Sequence, residues 1–227
     1  MLSGCGANFG LPESATEQGA EITKQWRLFT QMAAAIGALV WGLILWSVIR
    51  YRRRSDELPK QTLFNLPFEV AYTTLPLVIV AFLFISSMRA TERVNSRVED
   101  PDLTVEVTGF QWQWRFTYPE QRVDVIGENN RPAEMVVPEG STVRIILTST
   151  DVIHAFWLPE FMVKKDAIPG RINEFDMTVT RAGTFESGRC VEYCGLNHDD
   201  MRFTVRAVPQ AEFDAWAAGA AQSRSRT

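Results

Sequence analysis

Two cysteines, a histidine and a methionine lie within twelve residues of one another near the end of the chain. The segment reads Cys190-Val-Glu-Tyr-Cys194-Gly-Leu-Asn-His198-Asp-Asp-Met201. The whole chain of 227 residues has only two histidines and three cysteines, so most of these side chains are concentrated here. The other histidine, His154, lies among residues typical of strands. Because thiolate and thioether sulfur are soft ligands and imidazole is borderline, the set favours copper over magnesium or calcium.

Two simpler interpretations of the cysteine pair have to be weighed against a copper site. A structural disulfide is common in domains outside the cytoplasm, and two cysteines with two histidines also form tetrahedral zinc sites. Neither interpretation gives a role to Met201, which follows His198 by three residues. Neither explains why both histidines should converge. The joint pattern therefore favours copper.

The cysteine loop closely resembles that of subunit II of the haem–copper cytochrome c oxidases. It matches the family pattern C-x-E-x-C-G-x-x-H-x-x-M in full, and the upstream histidine lies in the family context S-x-D-V-x-H. The resemblance extends over nearly the whole chain. It implies a dinuclear copper centre, CuA, with two bridging thiolates, two terminal imidazoles, a weak axial thioether and one backbone carbonyl. The implied bridging thiolates are those of Cys190 and Cys194, and the implied terminal imidazoles are those of His154 and His198. Met201 is the implied axial thioether, and Glu192 the implied source of the carbonyl.

Two long segments earlier in the chain are almost free of charge. They cover about residues 28–49 and 68–88, and each approaches the ~20 residues that a helix needs to cross a bilayer. A pair of buried core helices is the alternative. The loop between them contains Arg50-Tyr-Arg-Arg-Arg54 and Lys60, which makes it cytoplasmic by the positive-inside rule. We therefore expect a multi-pass protein of the bacterial inner membrane, with both termini and the copper domain on the extracytoplasmic side.

The first residues resemble a bacterial lipoprotein processing site. Leu2-Ser3-Gly4-Cys5 fits a signal after which the cysteine becomes the lipidated first residue. The basic and apolar stretch that usually precedes such a site is missing, and an incidental cysteine in a flexible tail is the alternative. We interpret the residues before the first span as an external segment that is lipid-anchored at Cys5.

After the second apolar segment the pattern changes to short runs of alternating residues, separated by turns that contain proline and glycine. Many short strands argue for a β-sandwich or barrel, and the family resemblance makes this a cupredoxin-like barrel. The predicted fold is a two-helix transmembrane hairpin followed by an all-β cupredoxin-like Greek-key barrel. The predicted strands include 103–108, 143–147, 176–180 and 203–208. The predicted units are the external segment 1–25, the hairpin 26–98, the copper domain 99–208, and a C-terminal helix and tail 209–227.

Aromatic residues occupy every second position from Phe110 to Phe116. Such alternation is typical of the buried face of a strand, which is our interpretation of Phe110 and Phe116. The segment also resembles the aromatic region of the family, where the first tryptophan of a W-x-W pair receives electrons from cytochrome c. The resemblance assigns that role to Trp112. The residue between the two tryptophans is often tyrosine in the family and is Gln113 here.

The predicted external domain is moderately acidic. From Asp102 to Val208 it has 16 acidic and 11 basic residues, a net charge of −5. Such a surface suits a basic electron donor, through steering that weakens as salt is added. An ordinary solvated surface is the alternative. The candidate docking residues are Asp151, Asp199 and Asp200, which neighbour the ligand segments, and Asp151 also matches an acidic position in the family's docking region.

Further positions acquire a role only through the resemblance. Glu69 matches the glutamate at the mouth of the K proton path, and a charge at the membrane edge is its alternative. The side chain of Glu192 matches a residue that helps to bind a magnesium ion shared with subunit I. The family segment that packs against subunit I is matched by Lys164, Asp166 and Arg171.

Together these observations predict subunit II of a bacterial aa3-type cytochrome c oxidase. It would take electrons from cytochrome c, or from a cytochrome c domain of complex III, and pass them to haem in subunit I. Oxygen would be reduced to water there, coupled to proton translocation. The predicted partners are subunit I, the other oxidase subunits, the electron donor and membrane lipid, with no nucleic acid.

Three alternatives share part of the pattern. A quinol oxidase subunit keeps the fold but lacks the copper ligands, all of which are present here. An electron-transfer domain of nitrous oxide reductase is disfavoured by the two membrane spans. A membrane-anchored copper carrier would hold one exchangeable copper, whereas this pattern favours a closed dinuclear site. No C-x-x-C-H motif occurs in the sequence, so a fused cytochrome c domain is not expected.

Overall fold

Two long helices come first in the chain, followed by ten strands and a final helix, among the residues 8–58, 60–128 and 131–224 that the computed structural model describes. The helices are α1 (Glu17–Arg50), α2 (Leu66–Asn95) and α3 (Gln210–Arg224). Cys5, the predicted lipidation site, lies outside the described residues. Both α1 and α2 are long and apolar enough to cross a membrane, and the rest of the protein does not bury their most apolar windows. This exposure excludes the core-helix alternative.

Helix α1 begins well before the apolar segment that predicted it. The side chain of Thr16 caps its N-terminus by accepting a hydrogen bond from the backbone N–H of Gly19. At 1.5 Å per residue, the 34 residues extend about 51 Å, whereas a hydrocarbon core is only ~30 Å thick. Since the apolar run starts near residue 28, the first turns stand outside the membrane. The external segment is therefore helical from Glu17 onward.

Helix α2 contains the predicted span 68–88 and continues beyond it to Asn95. The side chain of Asn65 accepts from the backbone N–H of Phe68, and Pro67 lies in the first turn, where its missing N–H costs nothing. The two helices contact each other near their outer ends. There Ser86 donates to the side-chain oxygen of Gln25 at 3.0 Å. The hairpin is thus held together by polar contacts where it leaves the membrane.

The strands form two mixed sheets of five strands each. The orders are β3-β2-β1-β5-β8 and β4-β10-β9-β6-β7. The pairs β1–β5 and β4–β10 are parallel, and the other pairs are antiparallel. In chain order the strands are Leu103–Phe110, Gln113–Tyr118, Val123–Ile126, Ala133–Pro138, Thr142–Ser149, His154–Leu158, Val163–Ala167, Asn173–Thr178, Gly183–Cys190 and Arg202–Val208. The predicted β-barrel domain after a helical hairpin is confirmed.

One predicted strand is displaced along the chain. The pattern predicted 176–180, whereas β8 covers Asn173–Thr178. The reason is that the next two residues pair with the segment before α1: Val179 forms a bridge with Thr16, and the backbone N–H of Thr180 donates to Ala15. After Thr178 the chain therefore pairs with residues 15 and 16, which precede α1, and strand β8 ends there.

An aromatic cluster fills the space between the two sheets beneath the cysteine loop. Phe156 and Phe203 stack with ring centroids 4.4 Å apart, and Trp114 meets both rings edge-on. Phe116 is also fully buried, as predicted, but Phe110 is only half-buried. The guanidinium of Arg115 lies 5.9 Å from the centre of the Phe110 ring.

Candidate metal centre

The candidate ligands lie on three neighbouring stretches at one end of the barrel. His154 is the first residue of β6 and Cys190 is the last residue of β9. These two strands pair in a register that places Phe156 opposite Cys190. Cys194, His198 and Met201 lie in the loop that leads from β9 to β10. Adjacent strands in one sheet thus bring together residues that are 36 positions apart in sequence.

The ligand atoms of these residues form a chain of close contacts. The Nδ1 atom of His154 lies 3.9 Å from the sulfur of Cys190, which lies 3.9 Å from the sulfur of Cys194. From Cys194, the Nδ1 atom of His198 is 3.5 Å away and the sulfur of Met201 is 3.8 Å away. The backbone oxygen of Glu192 also lies 3.2 Å from the Cys190 sulfur. All six residues that the sequence pointed to therefore meet around the two thiols.

Both cysteines of the loop are free thiols. A disulfide requires the two sulfur atoms to be ~2.05 Å apart, and the observed separation is nearly twice that. The thiols, His154 and Met201 are all buried. The structural disulfide that was weighed as an alternative is therefore absent from this conformation.

The pKa values of the two thiols are shifted in opposite directions. Burial opposes ionisation of Cys190, but its contact with the His154 ring, together with further hydrogen bonds to its sulfur, lowers the pKa of Cys190 to about 7. Burial and the neighbouring negative charge at Cys190 raise the pKa of Cys194 to about 12. Both thiols can therefore be deprotonated together only when positive charge is placed between them. With two imidazoles and a thioether beside them, these donors fit copper.

Asp151 fixes the orientation of the His154 ring. One carboxylate oxygen accepts from Nε2 of His154 at 2.8 Å, and the other accepts from the backbone N–H of Gln111 at 2.7 Å. With Nε2 held in this way, Nδ1 is directed at the Cys190 sulfur. Burial opposes ionisation of Asp151, but the hydrogen bond to His154 and those from the backbone of Gln111 and Val152 together lower its pKa. The residue predicted to dock a donor thus has its carboxylate turned inward.

Trp112, the predicted entry point for electrons, lies outside the two strands that flank it. Strand β1 ends at Phe110 and β2 begins only at Gln113, so Trp112 lies in the turn between them. Its indole N–H donates to the backbone oxygen of Cys194 at 3.2 Å. The side chain is half-buried and packs against the core. Trp112 therefore connects the surface of the domain directly to the metal-binding loop.

Gln111 is a site residue that the sequence analysis missed. Its side-chain amide donates to the same carbonyl of Cys194 at 2.8 Å. Gly195 follows that carbonyl with φ of +121°, a conformation that L side chains rarely adopt. A Cβ atom there would also lie 3.2 Å from the Gln111 amide nitrogen and from the Trp112 ring. Only adjacency to Trp112 could have drawn attention to Gln111.

An open cleft of about 870 Å³ lies beside Trp112. Asp200 lines it, as does Glu128, but so do Arg131 and Arg202. Asp199 is exposed next to it, and its backbone oxygen accepts from Arg202. The surface next to the predicted electron entry therefore carries both signs of charge rather than a uniform acidic field.

The remaining predicted residues lie away from the ligand cluster, apart from the exposed side chain of Glu192. Glu69 is half-buried in the first turn of α2, where its carboxylate accepts from the backbone N–H of Asn65 at 3.1 Å. Lys164 and Asp166 lie on β7 with their charged groups 3.4 Å apart. Together with Arg171, they line a shallow pocket of about 340 Å³.

The fold and the donor set define a membrane-anchored protein with a cupredoxin-like, metal-binding domain. A family model described as the periplasmic domain of cytochrome c oxidase subunit II matches residues 103–208, and one described as its transmembrane domain matches residues 5–90. The chain belongs to the cytochrome c oxidase subunit II family. It is thus a subunit of a haem–copper terminal oxidase, held in the membrane and carrying a periplasmic domain.

Curated relatives and solved structures agree with this membership. The probable cytochrome c oxidase subunit 2 of Streptomyces coelicolor is 37% identical in an alignment of 245 positions, gaps included. The alignment covers 90% of this chain and 76% of the relative. The subunit 2 of Mycobacterium tuberculosis is 28% identical, with coverages of 95% and 77%.

The solved periplasmic domain of cytochrome oxidase subunit II from Bradyrhizobium japonicum is 39% identical, with a TM-score of 0.51 over 56% of this chain and 99% of that domain. A second structure, also 39% identical and with a TM-score of 0.50 over 56% of this chain and 98% of that one, shows subunit II in a mixed disulfide with a thioredoxin-like protein.

Proposed function

We propose that this chain is the electron-accepting subunit of a bacterial aa3-type cytochrome c oxidase. The observation that carries the proposal is the convergence of two imidazoles, a thioether and a backbone carbonyl around two buried thiols that are 3.9 Å apart. When bound, a dinuclear CuA centre would supply a one-electron relay that changes little in geometry, because both metals share the unpaired electron. The assignment of each ligand rests on the family pattern and on this convergence.

The protein's own residues hold and tune such a site. Cys190 and Cys194 would hold the copper through their thiolates, His154 and His198 through their imidazoles, and Met201 weakly through its thioether. The carbonyl of Glu192 completes the set. The cluster is shielded by apolar side chains, since His154 and Met201 have no solvent-exposed surface. An apolar shell of this kind excludes water and sets the redox potential of a metal.

Electron entry is assigned to Trp112. Its hydrogen bond to the Cys194 carbonyl gives a short, continuous path from the cleft at the surface to the ligand loop. The donor would be cytochrome c or a cytochrome c domain of complex III, docking over this cleft. Asp199 and Asp200 remain candidates for donor contact, whereas the inward-turned carboxylate of Asp151 fits better a role in positioning His154. Electrons would leave to haem in subunit I, where oxygen is reduced to water and protons are translocated.

Contacts with the other subunits and a second metal belong to the same proposal. Lys164, Asp166 and Arg171 present charged groups on one exposed face, which suits an interface with subunit I. The exposed side chain of Glu192 is free to share a magnesium ion across that interface. Glu69 lies at the opposite end of the hairpin and would face the cytoplasm in this orientation, as the mouth of a K proton path requires.

The orientation in the membrane and the lipid anchor are also proposals. The basic loop between α1 and α2 places both termini outside. The chain before α1 turns back along that helix: Phe9 accepts a hydrogen bond from the Trp26 ring, and the side chain of Asn8 accepts from Arg27. Asn8 is thus held next to the start of the apolar run. Cys5 lies three residues earlier, a reach of ~10 Å, so a lipid there could enter the outer leaflet.

Copper stoichiometry tests the proposed function. The periplasmic domain, residues 99–227, should bind two copper ions and give the spectrum of one electron shared over two nuclei. Cys190→Ser and Cys194→Ser should each abolish that spectrum, because each thiolate bridges both metals. Ser187→Ala, a change in β9 outside the ligand set, is the control and should leave it intact. One copper per domain, or zinc in place of copper, would overturn the proposal.

A further inference from the structure

Strand β8 lies at the open edge of the first sheet, and both outer ends of the membrane hairpin are attached to it. We propose that these attachments hold the periplasmic domain in one orientation on the hairpin, with Asp176 and Arg144 as the positioning residues. This inference rests on the proposed function, because a relay that hands electrons to a second subunit needs its metal site at a fixed position.

The first attachment follows α2. Asp176 on β8 and Arg144 on β5 are direct cross-strand partners, and the guanidinium makes two hydrogen bonds of 2.9 Å to the carboxylate. The same carboxylate accepts from the backbone N–H of Val98 at 2.8 Å, and Arg144 donates to the backbone oxygen of Val98. Both polar groups of one linker residue are thus held by this ion pair.

The ion pair is buried although no ligand or cofactor uses it. The Asp176 side chain is 1% exposed and that of Arg144 is 19% exposed, and the contact with Asp176 raises the pKa of Arg144. A buried pair is seldom a net gain in stability over apolar residues of similar size. What this pair does in addition is bind both backbone polar groups of Val98. This contact indicates that the pair positions the linker rather than adding stability.

Other contacts extend the attachment along the linker between α2 and β1. Arg97 forms an ion pair with Glu174 of β8. At the far end, Asp102 accepts from the backbone N–H of Thr142 at 2.7 Å and donates its own N–H to the Thr142 carbonyl at 3.0 Å. Left free, a linker of about seven residues would let its ends move by more than 10 Å. Because this linker is bound to the domain at both ends and at Val98, its ends are held at a fixed separation.

The second attachment precedes and begins α1. Ala15 is fully buried in the core of the domain, and its backbone accepts from Thr180 at 2.9 Å. Thr16, the cap of α1, donates to the carbonyl of Phe161 at 3.0 Å. In the first turn of the helix, the side chain of Gln18 accepts from the backbone N–H of Thr178 at 3.0 Å. The start of α1 is therefore built into the edge of the barrel beside β8.

The two helices are themselves joined where they meet the domain. Arg93 near the end of α2 pairs with Glu21 near the start of α1 at 3.0 Å. Lys165 on β7 donates to the side chain of Asn95, the last residue of α2, at 3.0 Å. The domain is thus attached to α1, to α2 and to the linker, and α1 and α2 are attached to each other. Rotation of the domain relative to the hairpin therefore requires several of these contacts to break.

The test uses the assembled oxidase with the double substitution Arg144→Leu and Asp176→Leu. Replacing both partners by apolar residues avoids an unpaired buried charge and is often neutral for stability, while Val98 loses both of its partners. The matched control is Arg206→Leu with Glu134→Leu, a cross-strand pair of the other sheet that touches neither helix of the hairpin. Val98→Pro is a second variant, because it removes the linker N–H without changing the domain.

We expect amide hydrogen exchange at residues 96–102 to become at least tenfold faster in both test variants than in the wild type or the control. Copper content, thermal midpoint and oxidation of cytochrome c should match the control, while onward electron transfer to the partner haem becomes severalfold slower. Unchanged exchange in both test variants would overturn the inference, and so would unchanged onward transfer in both. Loss of copper or of thermal stability with normal onward transfer per copper would also overturn it, by showing a purely structural role.

The outcome for the proposed function can be read separately. If the wild-type domain does not hold two copper ions, the proposed function is wrong whatever the variants do. If it does hold two and the exchange at 96–102 is unaffected by the substitutions, the attachment inference alone is wrong.

Discussion

Replacing Asp151 by alanine separates two roles that its position allows. In the structure the carboxylate accepts three short hydrogen bonds, from the His154 ring at 2.8 Å, from the Gln111 backbone at 2.7 Å and from the Val152 backbone at 2.6 Å, and a longer one of 3.4 Å from the Ser149 hydroxyl. A residue that only steers a donor would keep its carboxylate in solvent. Asp151→Ala should therefore weaken the domain and its metal site, whereas loss of a docking charge should affect only association.

The magnitude follows from the number and kind of these contacts. Hydrogen bonds to a charged group contribute ~1.5–3 kcal/mol each. The Asp151 side chain is 30% exposed, so water replaces part of this, and we expect a net loss of about 2 kcal/mol in the free energy of unfolding. Loss of a residue that orients a metal-bound histidine typically lowers metal affinity 10- to 100-fold, and we expect a decrease of that order for copper.

The assays are denaturant unfolding of the copper-free domain and competitive copper titration of the same protein. Asp199→Ala is the matched control, because that aspartate is also exposed near the ligands, whereas only the carboxylate of Asp151 accepts from the His154 ring. The reasoning is refuted if Asp151→Ala and Asp199→Ala have equal stability and equal copper affinity, and differ from wild type only in the salt dependence of cytochrome c oxidation. That result would restore Asp151 to a docking role.

The pH dependence of the same aspartate gives an independent check. Its pKa is lowered in the folded domain by the contact with His154 and by backbone N–H groups. A lowered folded pKa means that the stabilisation is complete above the unfolded value of ~3.9 and is lost as pH falls through the folded value. The stability difference between wild type and Asp151→Ala should therefore shrink below about pH 4. It should also decrease as pH rises through the pKa of His154, which burial opposes but the contacts with Cys190 and Asp151 raise.

Three further changes test other parts of the site. Trp112→Gln should leave copper content and the optical spectrum near normal while electron transfer from cytochrome c falls by orders of magnitude; loss of copper with normal transfer per copper would show that the residue only packs. Met201→Leu should retain two copper ions but shift the redox potential, measured by voltammetry, because an axial thioether is a weak ligand; loss of one copper would contradict this. Gly195→Ala should reduce copper occupancy, since φ of +121° is unfavourable for alanine and its methyl group would press on Trp112; Gly219→Ala, at an open position of α3, should not.

The sequence by itself determined the class of fold and the identity of the donor set. Two uncharged segments of membrane length, a basic loop between them and a run of short alternating strands are local patterns, and the structure has helices and strands at those places. The candidate ligands in the cysteine loop could also be recognised from sequence. Five of the six candidate ligands lie within twelve residues there, and their chemistry does not depend on the rest of the chain. His154 was recognisable because only two histidines occur.

The tertiary structure alone decided which polar groups face the site and which hold the units together. The alternation of aromatic residues did not show that the chain turns after Phe110 and directs the Trp112 indole to the Cys194 carbonyl. Proximity to the ligands marked Asp151 as a surface charge, yet it reaches the His154 ring. The burial of Asp176 against Arg144 and Val98 leaves no periodic trace in sequence. Such contacts join residues far apart in the chain, and they depend on strand register, which local residue preferences do not specify.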